Sequence, residues 1–281
     1  MYSNQDIADY YDQTEEHFQQ FWKLSQARAL HYGIWYPETR TFVESLNNTN
    51  KLVAEWGEVN KKSYVLDAGC GIGGSSLFLA QHHGCKVRGV SLSRKQVSKA
   101  TKMVRAEKLD ELATFQCESY TALSLPDNSF DVAFAIESMS SSQQTEAFLR
   151  EMYRVLKPGG RLIVLDFFKA KDVKIESLPD LRIFLNCWAI NDVESFDGFG
   201  QLSVDHDFEI KRAENLNKEI RKSAKRMYCG GLAGFVGTKL YNAFKSATPW
   251  SKTHYKSGIH QWKSLKKGEW IYGSFLLRKP E

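Results

Sequence analysis

The stretch from Tyr64 to Gly74, Y-V-L-D-A-G-C-G-I-G-G, limits what this chain can fold into more than any other. An apolar run, Tyr64 to Leu66, ends in Asp67. Glycines follow at 69, 71, 73 and 74, and S-S-L-F-L-A then reads as the start of a helix. Strand, tight turn and helix N-terminus in that order form the opening unit of an open α/β sheet. Glycine is needed in such a turn because the backbone takes angles closed to other residues and a ligand must lie against the main chain. The free N–H groups of the helix start favour negative charge arriving from solution. A nucleotide-like cofactor is expected here.

The segments beyond the turn alternate. Helix Ser75–His83 leads to strand Lys86–Ser91, and helix Arg94–Lys108 to strand Thr114–Cys117. L-P-D-N-S-F-D delivers strand Val132–Ile136; helix Gln143–Leu156 stops at K-P-G-G, and strand Arg161–Phe167 follows. Such alternation predicts a doubly wound, Rossmann-like α/β fold, its parallel sheet covered on both faces. Upstream, Asp6–Leu30 carries apolar residues at helical spacing, H-Y-G-I-W-Y-P breaks the pattern, and Thr39–Trp56 reads as another helix. Residues 1–61 are therefore expected to form an N-terminal helical cap and residues 62–169 the cofactor-binding core. Residues 170–281 are expected to supply a helical lid and two strands completing the same sheet. Within them, Asp172–Gly200 reads as short helices and Phe208–Ala213 as a sixth strand. Asn217–Tyr228, Leu232–Ser246 and Thr253–Leu265 read as helices, and Trp270–Arg278 as a last, antiparallel strand.

Composition excludes several classes. With 42% hydrophobic and 25% charged residues over 281 positions, the chain reads as an ordinary globular protein. No apolar run approaches the ~20 residues of a membrane span. The opening M-Y-S-N-Q-D-I-A-D-Y-Y-D is polar and acidic, unlike a secretory signal. Cys70, Cys85, Cys117, Cys187 and Cys229 are odd in number and lack C-x-x-C spacing. Neither a disulfide framework nor a metal site is expected, and a reducing cytoplasm is the natural setting. The net charge of +5 is unevenly placed: from Lys211 to Lys267 there are fourteen Lys or Arg against Glu214 and Glu219. Such a run is a solvated helical surface, or one attracted to an anionic membrane or an acidic substrate. It lacks the aromatic interleaving of a nucleic-acid groove, so no nucleic-acid partner is expected.

The glycines leave the cofactor open. Gly69, Gly71 and Gly74 satisfy G-x-G-x-x-G, the dinucleotide fingerprint. An NAD site wants an acidic residue about 20 positions on, and Ser91 stands there in V-S-L-S-R, an ending compatible with NADP. Asp67 argues the other way, because a carboxylate two residues before the first glycine would face a pyrophosphate with like charge. It suits a cofactor presenting a positive amino group, as S-adenosylmethionine does. A purely structural turn is the third reading.

V-L-D-A-G-C-G-I-G-G-S-S, G-V-S-L-S-R-K-Q, L-P-D-N-S-F-D-V and R-V-L-K-P-G-G-R-L occur in order from Val65 to Leu162. Together they resemble the class I S-adenosylmethionine-dependent methyltransferases. The G-C-G-I-G-G-S-S turn, the upstream Y-Y-D and H-Y-G-I-W, and the closing W-I-Y-G-S-F-L-L-R-K look closest to the small-molecule branch with tocopherol, sarcosine/dimethylglycine and sterol methyltransferases. The resemblance implies that Asp67, Gly69 and Gly71 contact the methionine end of S-adenosylmethionine, and that Ser91, Leu92 and Gln96 meet the ribose. It implies Glu118 and Ser119 at the adenine, Ile136 and Glu137 beside the reactive methyl group, and Tyr10, Tyr11, His31 and Tyr32 closing over the cofactor from the cap. Many members have an acidic residue where Ser91 stands. Where sterol-type relatives read I-E-A-T-C-H, this chain reads I-E-S-M-S-S, so the glutamate matches at Glu137 but Ser141 replaces the histidine.

Methyl transfer from a sulfonium is an in-line displacement with an activated donor, so the protein mainly aligns two molecules and excludes water. A base is needed only where the acceptor must lose a proton; Glu137 and His31 are the candidates. The apolar stretches Phe184–Ile190 and Gly230–Phe244 suggest a small lipophilic acceptor collected near a membrane surface, although such stretches also serve as core. An NADP oxidoreductase and a methyltransferase-like binding protein without chemistry are the competing readings.

Overall fold

The computed structural model describes residues 6–7, 28–142, 144–242 and 249–281. Seven strands form one sheet in the order β3-β2-β1-β4-β5-β7-β6. They are β1 Tyr64–Ala68, β2 Lys86–Ser91, β3 Ala113–Cys117, β4 Phe130–Ile136, β5 Leu156–Lys169, β6 Glu209–Asn215 and β7 Trp270–Arg278. The first five pair in parallel, whereas β7 runs antiparallel to both β5 and β6. The chain winds outward from β1 to β3 and returns to lay β4 on the other side of β1. That reversal opens a crevice at the carboxyl ends of β1 and β4, where open α/β sheets bind ligands.

Successive side chains of a strand point to opposite faces. Val65, Val132 and Phe134 join one buried cluster, while Leu66, Ala68, Ala133 and Ala135 join the other. Burial on both faces is the reason these strands read as near-continuous apolar runs. Helices α1 (Phe42–Trp56) and α2 (Gly74–His83) cover the first face, with Leu52, Val53, Leu77 and Leu79 in its cluster. Helix α3 (Arg94–Ala106) links β2 to β3, and after the short turn α4 (Met139–Ser142), α5 (Thr145–Val155) covers the second face through Phe148, Leu149 and Met152. Helix α1 starts at a capping box, Thr41 accepting from the Glu44 N–H and Glu44 from the Thr41 N–H. Although it lies within residues 1–61, α1 packs its apolar face into the core of the sheet.

After β5 come a 3-10 turn (Ile175–Ser177) and the short helices α6 (Pro179–Asn186) and α7 (Phe196–Asp205). Next are α8 (Arg221–Asn242) and α9 (Pro249–Lys267). One difference from the sequence expectation has a clear cause. Asn217–Tyr228 and Leu232–Ser246 are not separate helices: α8 runs unbroken through Gly230 and Gly231. A Cβ at Gly231 would lie 2.7 Å from the Tyr255 carbonyl oxygen, and one at Gly258 would lie 2.3 Å from that of Met227. The glycines allow α8 and α9 to touch backbone to backbone. The expected helix Asp6–Leu30 lies largely outside the described residues; Asp6 and Ile7 are helical, whereas Arg28–Leu30 are not. Among the described residues no helix is long and apolar enough to cross a membrane.

Candidate active site

At the end of β1 the chain turns through left-handed glycines. Gly69 has φ +99°, and a Cβ there would sit 2.3 Å from the Ser138 Cβ, so the β1 and β4 ends meet only because residue 69 has no side chain. At Gly73, with φ +84°, a Cβ would meet Phe115 at 2.8 Å and Ala100 at 2.9 Å. Gly71, φ +51°, differs: nothing stands within 4 Å of its Cβ position, which borders an open cavity. Asp67, just ahead, is buried and accepts a 2.6 Å hydrogen bond from the Ser76 hydroxyl. Burial outweighs the hydrogen bonds from Ser76 and pushes its carboxyl up to about 7.

Glu137 follows the last residue of β4 with φ +49°, a left-handed conformation that strains a residue with a side chain. Its N–H donates to the Leu165 carbonyl at 2.8 Å. Its Oε1 accepts from the Tyr32 N–H at 2.5 Å and the Tyr272 hydroxyl at 2.7 Å. Oε2 has no protein partner among the described residues. The carboxyl lines the cavity, and desolvation raises it to about 8 against the two donors. Beneath it, Asp166 of β5 accepts from the Ser140 N–H at 3.0 Å and the Ser140 hydroxyl at 2.8 Å, pinning the α4 turn. Burial raises Asp166 to about 6.

The cavity between these strand ends measures about 950 Å3 including its open mouth. Asp67, Gly69, Gly71, Ser91, Leu92, Gln96, Ser119, Ile136, Glu137 and His31 all line it. Ser91 donates to Gln96 Oε1 at 2.8 Å, and Ser93 caps α3 through the Gln96 N–H. Glu118 is not on the wall, but its N–H holds the Ser91 carbonyl and its Oε2 is buried without a hydrogen-bond partner. His31 is buried; its Nδ1 lies 2.9 Å from the Tyr32 carbonyl, which can only accept, so Nδ1 carries the proton. Its Nε2 is left as an unpartnered acceptor, and desolvation lowers the imidazole to about 4. Tyr32 does not reach the cavity. Its ring packs in a buried aromatic cluster, 5.6 Å from Phe167, 6.2 Å from Trp270 and 5.6 Å from Tyr272. Tyr10 and Tyr11 lie outside the described residues.

Sequence reasoning did not single out Tyr120, Ser138, Phe134 and Arg28 on the wall, nor Tyr272 and Asp166 behind it. Ser138 had a local signal, since it directly follows Glu137. The Tyr120 hydroxyl donates to the Ser138 carbonyl, a contact that no spacing announces.

The cavity suits a cationic ligand. Two carboxyl groups, Asp67 and Glu137, line it, and Arg28, the single Lys or Arg among its described lining residues, is paired with Glu107 at 2.6 Å. Among the described residues a pyrophosphate would find carboxyl groups and no free cation, whereas the amino group and sulfonium of S-adenosylmethionine would find groups able to carry opposite charge. The open space beside Gly71 fits the same molecule. The Gly71→Ala variant is expected to bind S-adenosylhomocysteine about tenfold more weakly in calorimetry. Its stability should fall by only about 1 kcal/mol in thermal melts, the strain of a left-handed alanine. A methyl group that left affinity unchanged would mean that the space beside residue 71 is not a cradle.

Residues 66–164 match the family described as Methyltransferase domain. The chain is 33% identical over 207 residues to the 2-methyl-6-phytyl-1,4-hydroquinone methyltransferase of Synechocystis sp., covering 71% of this chain and 64% of that protein, a little under two thirds of its length. It is 34% identical over 221 residues to Methyltransferase GfsG of Streptomyces halstedii, covering 78% of each chain. The crystal structure of a putative sarcosine dimethylglycine methyltransferase from Galdieria sulphuraria shares the fold, with a TM-score of 0.80 and 20% identity over 96% of this chain and 98% of that one. With that identity to a methyltransferase held over most of both chains, and with the fold and the carboxyl-lined cavity in agreement, this chain belongs to the class I S-adenosylmethionine-dependent methyltransferases.

Proposed function

We propose that this methyltransferase modifies a small lipophilic acceptor, and that Glu137 takes up the proton the acceptor loses. The observation that carries the reading is the placement of Glu137: strained, at the carboxyl end of β4 and lining the cavity, with Oε1 fixed by two donors. Strain of about 1–3 kcal/mol at such a residue persists only where the surroundings hold it. A carboxyl near 8 is a stronger base than an ordinary glutamate and is matched to neutral pH.

S-adenosylmethionine supplies a methyl group already activated on a sulfonium. The chain's own residues hold and align. Asp67 with the backbone at Gly69 and Gly71 would bind the methionine end, Ser91, Leu92 and Gln96 the ribose, and Glu118 and Ser119 the adenine. His31, neutral and with a free Nε2, is too weak a base beside Glu137 and serves as a hydrogen-bond acceptor that orients a hydroxyl or amine. Elsewhere on the wall Ile7, Leu30, Ile72, Phe134 and Ile136 supply apolar surface, interspersed with Arg28, Ser75, Ser93, Tyr120, Ser138 and Ser141. Such a wall favours an acceptor with a hydrocarbon body and one polar end. The phytyl hydroquinone named for the Synechocystis relative has that character.

Incubation with methyl-labelled S-adenosylmethionine and a panel of acceptors tests the reading. Label should pass to prenylated phenols or hydroquinones and not to small hydrophilic amines such as sarcosine. Turnover confined to the hydrophilic amines would overturn the acceptor class, and no turnover with any acceptor would favour a binding protein without chemistry.

A further inference from the structure

The segment Lys211–Lys267 holds fourteen cations and two acids, while the rest of the chain holds 24 cations and 31 acids. The chain is thus strongly polarised, and the positive end is carried by α8 and α9. Among the described positions of α8, Arg221, Lys222, Lys225, Cys229, Leu232 and Ala233 are exposed, and Lys222, Lys225, Cys229 and Leu232 follow at spacings of three and four that put them on one side. Ser223, Ala224, Met227 and Gly231, on the other side, are buried. This outer face is cationic in its first two turns and then apolar, Leu232 being 45% exposed. On α9, Lys256 and Lys263 are exposed seven residues apart, and Arg221 lies 5.6 Å over the Trp262 ring, so the cationic sides of the two helices adjoin. None of Arg221, Lys222, Lys225, Lys256 and Lys263 forms an ion pair among the described residues. Cations that merely solvate a helix are usually interspersed with acids; here acids are missing from the face.

We propose that the outer face of α8, with the adjoining lysines of α9, docks on an anionic lipid bilayer. Its charge is complementary to such a surface, and Leu232 is placed to enter the headgroup boundary behind the lysines. The docking helices also hold the segment that reaches the active site. Ser223 of α8 accepts from the Gly33 N–H at 3.1 Å and donates to the Gly33 carbonyl at 2.9 Å. Gln261 of α9 accepts from the Tyr32 hydroxyl at 3.0 Å. A bilayer bound at this face therefore lies on the far side of the helix that holds the segment carrying His31 and Tyr32. The proposal goes beyond the acceptor reading, and its test does not require an acceptor.

Co-sedimentation of the full chain with vesicles decides it. Binding is expected to vesicles containing about one-third phosphatidylserine, to be at least tenfold weaker to pure phosphatidylcholine, and to fall steeply with added salt. The double variant Lys225→Glu, Lys263→Glu should lose at least tenfold in partitioning with its melting temperature and S-adenosylhomocysteine affinity unchanged. Leu232→Gln should weaken partitioning severalfold without altering the salt dependence. Equal binding to neutral and anionic vesicles, or full binding by the charge-reversed variant, would overturn the proposal. So would binding to duplex DNA in the absence of vesicle binding.

Discussion

Glu137→Gln is expected to lower kcat by about two to four orders of magnitude, the usual loss on removing a general base, while S-adenosylhomocysteine binds within a few fold of the parent. Glutamine keeps the shape and can accept from both the Tyr32 N–H and the Tyr272 hydroxyl, so the strained turn is preserved and only the proton acceptor is lost. The sign of the pH dependence follows from the carboxyl near 8. The active, ionised form grows as pH rises, so kcat/KM should climb about tenfold per pH unit below 8 and level above it. Tyr272→Phe removes a donor that favours the ionised form and should move that midpoint upward. Stability runs the opposite way. Between pH 4.5 and about 8 the folded chain keeps a proton that the unfolded chain has released, so this group's contribution falls as pH rises through the window. Glu137→Gln should therefore melt at or above the parent temperature near pH 8.5. Full activity in the variant, or parent activity that declines through pH 8, would remove Glu137 from the role of base.

What could be read from the sequence follows the range of the contacts involved. The Gly-rich turn, the five parallel strands and Glu137 at a strand end are local patterns, each legible within a short stretch of chain. The partners that position Glu137 are not local: Tyr32 is 105 positions away and Tyr272 is 135. Tyr272 arrives because β7 pairs with β5 in the register that sets Phe167 against Tyr272. Nothing in W-I-Y-G-S-F-L-L-R announces that register. Tyr32 reads from sequence as an aromatic closing over the cofactor; in the fold its neighbour His31 lines the cavity while its own ring goes behind, into the cluster with Phe167 and Trp270. Asp166 hides within an apolar strand, R-L-I-V-L-D-F-F, and its purpose becomes visible only through Ser140. The paired glycines of α8 read as a break because each lowers helix propensity by about 1 kcal/mol. Tertiary contact with α9 overrides that preference, since side chains there would collide with its backbone.

Asp67→Asn is expected to weaken S-adenosylhomocysteine binding by roughly 30- to 1000-fold, the ~2–4 kcal/mol that follows loss of one partner from a buried charge pair. In the free protein Asp67 sits near 7 with a single side-chain donor, Ser76, and among the described residues no cation offsets its burial. A ligand ammonium group would favour the ionised carboxylate, so binding must expel a proton whenever Asp67 begins protonated. Affinity should then fall by up to tenfold per pH unit as pH drops below 7, and stay level above it. The contribution of Glu137 near 8 is removed by measuring in the Glu137→Gln background. There, adding Asp67→Asn should flatten the profile between pH 5 and 7, and adding Ser76→Ala instead should move its break upward, because a donor that lowers the carboxyl is gone. The decisive control is 5′-methylthioadenosine, which keeps the nucleoside and lacks the amino-acid end. Its affinity should be indifferent to both Asp67→Asn and pH. If it weakens as much as S-adenosylhomocysteine does, Asp67 is shaping the turn and not meeting a charge. If neither ligand responds, the carboxylate ahead of the glycines has no part in choosing the cofactor.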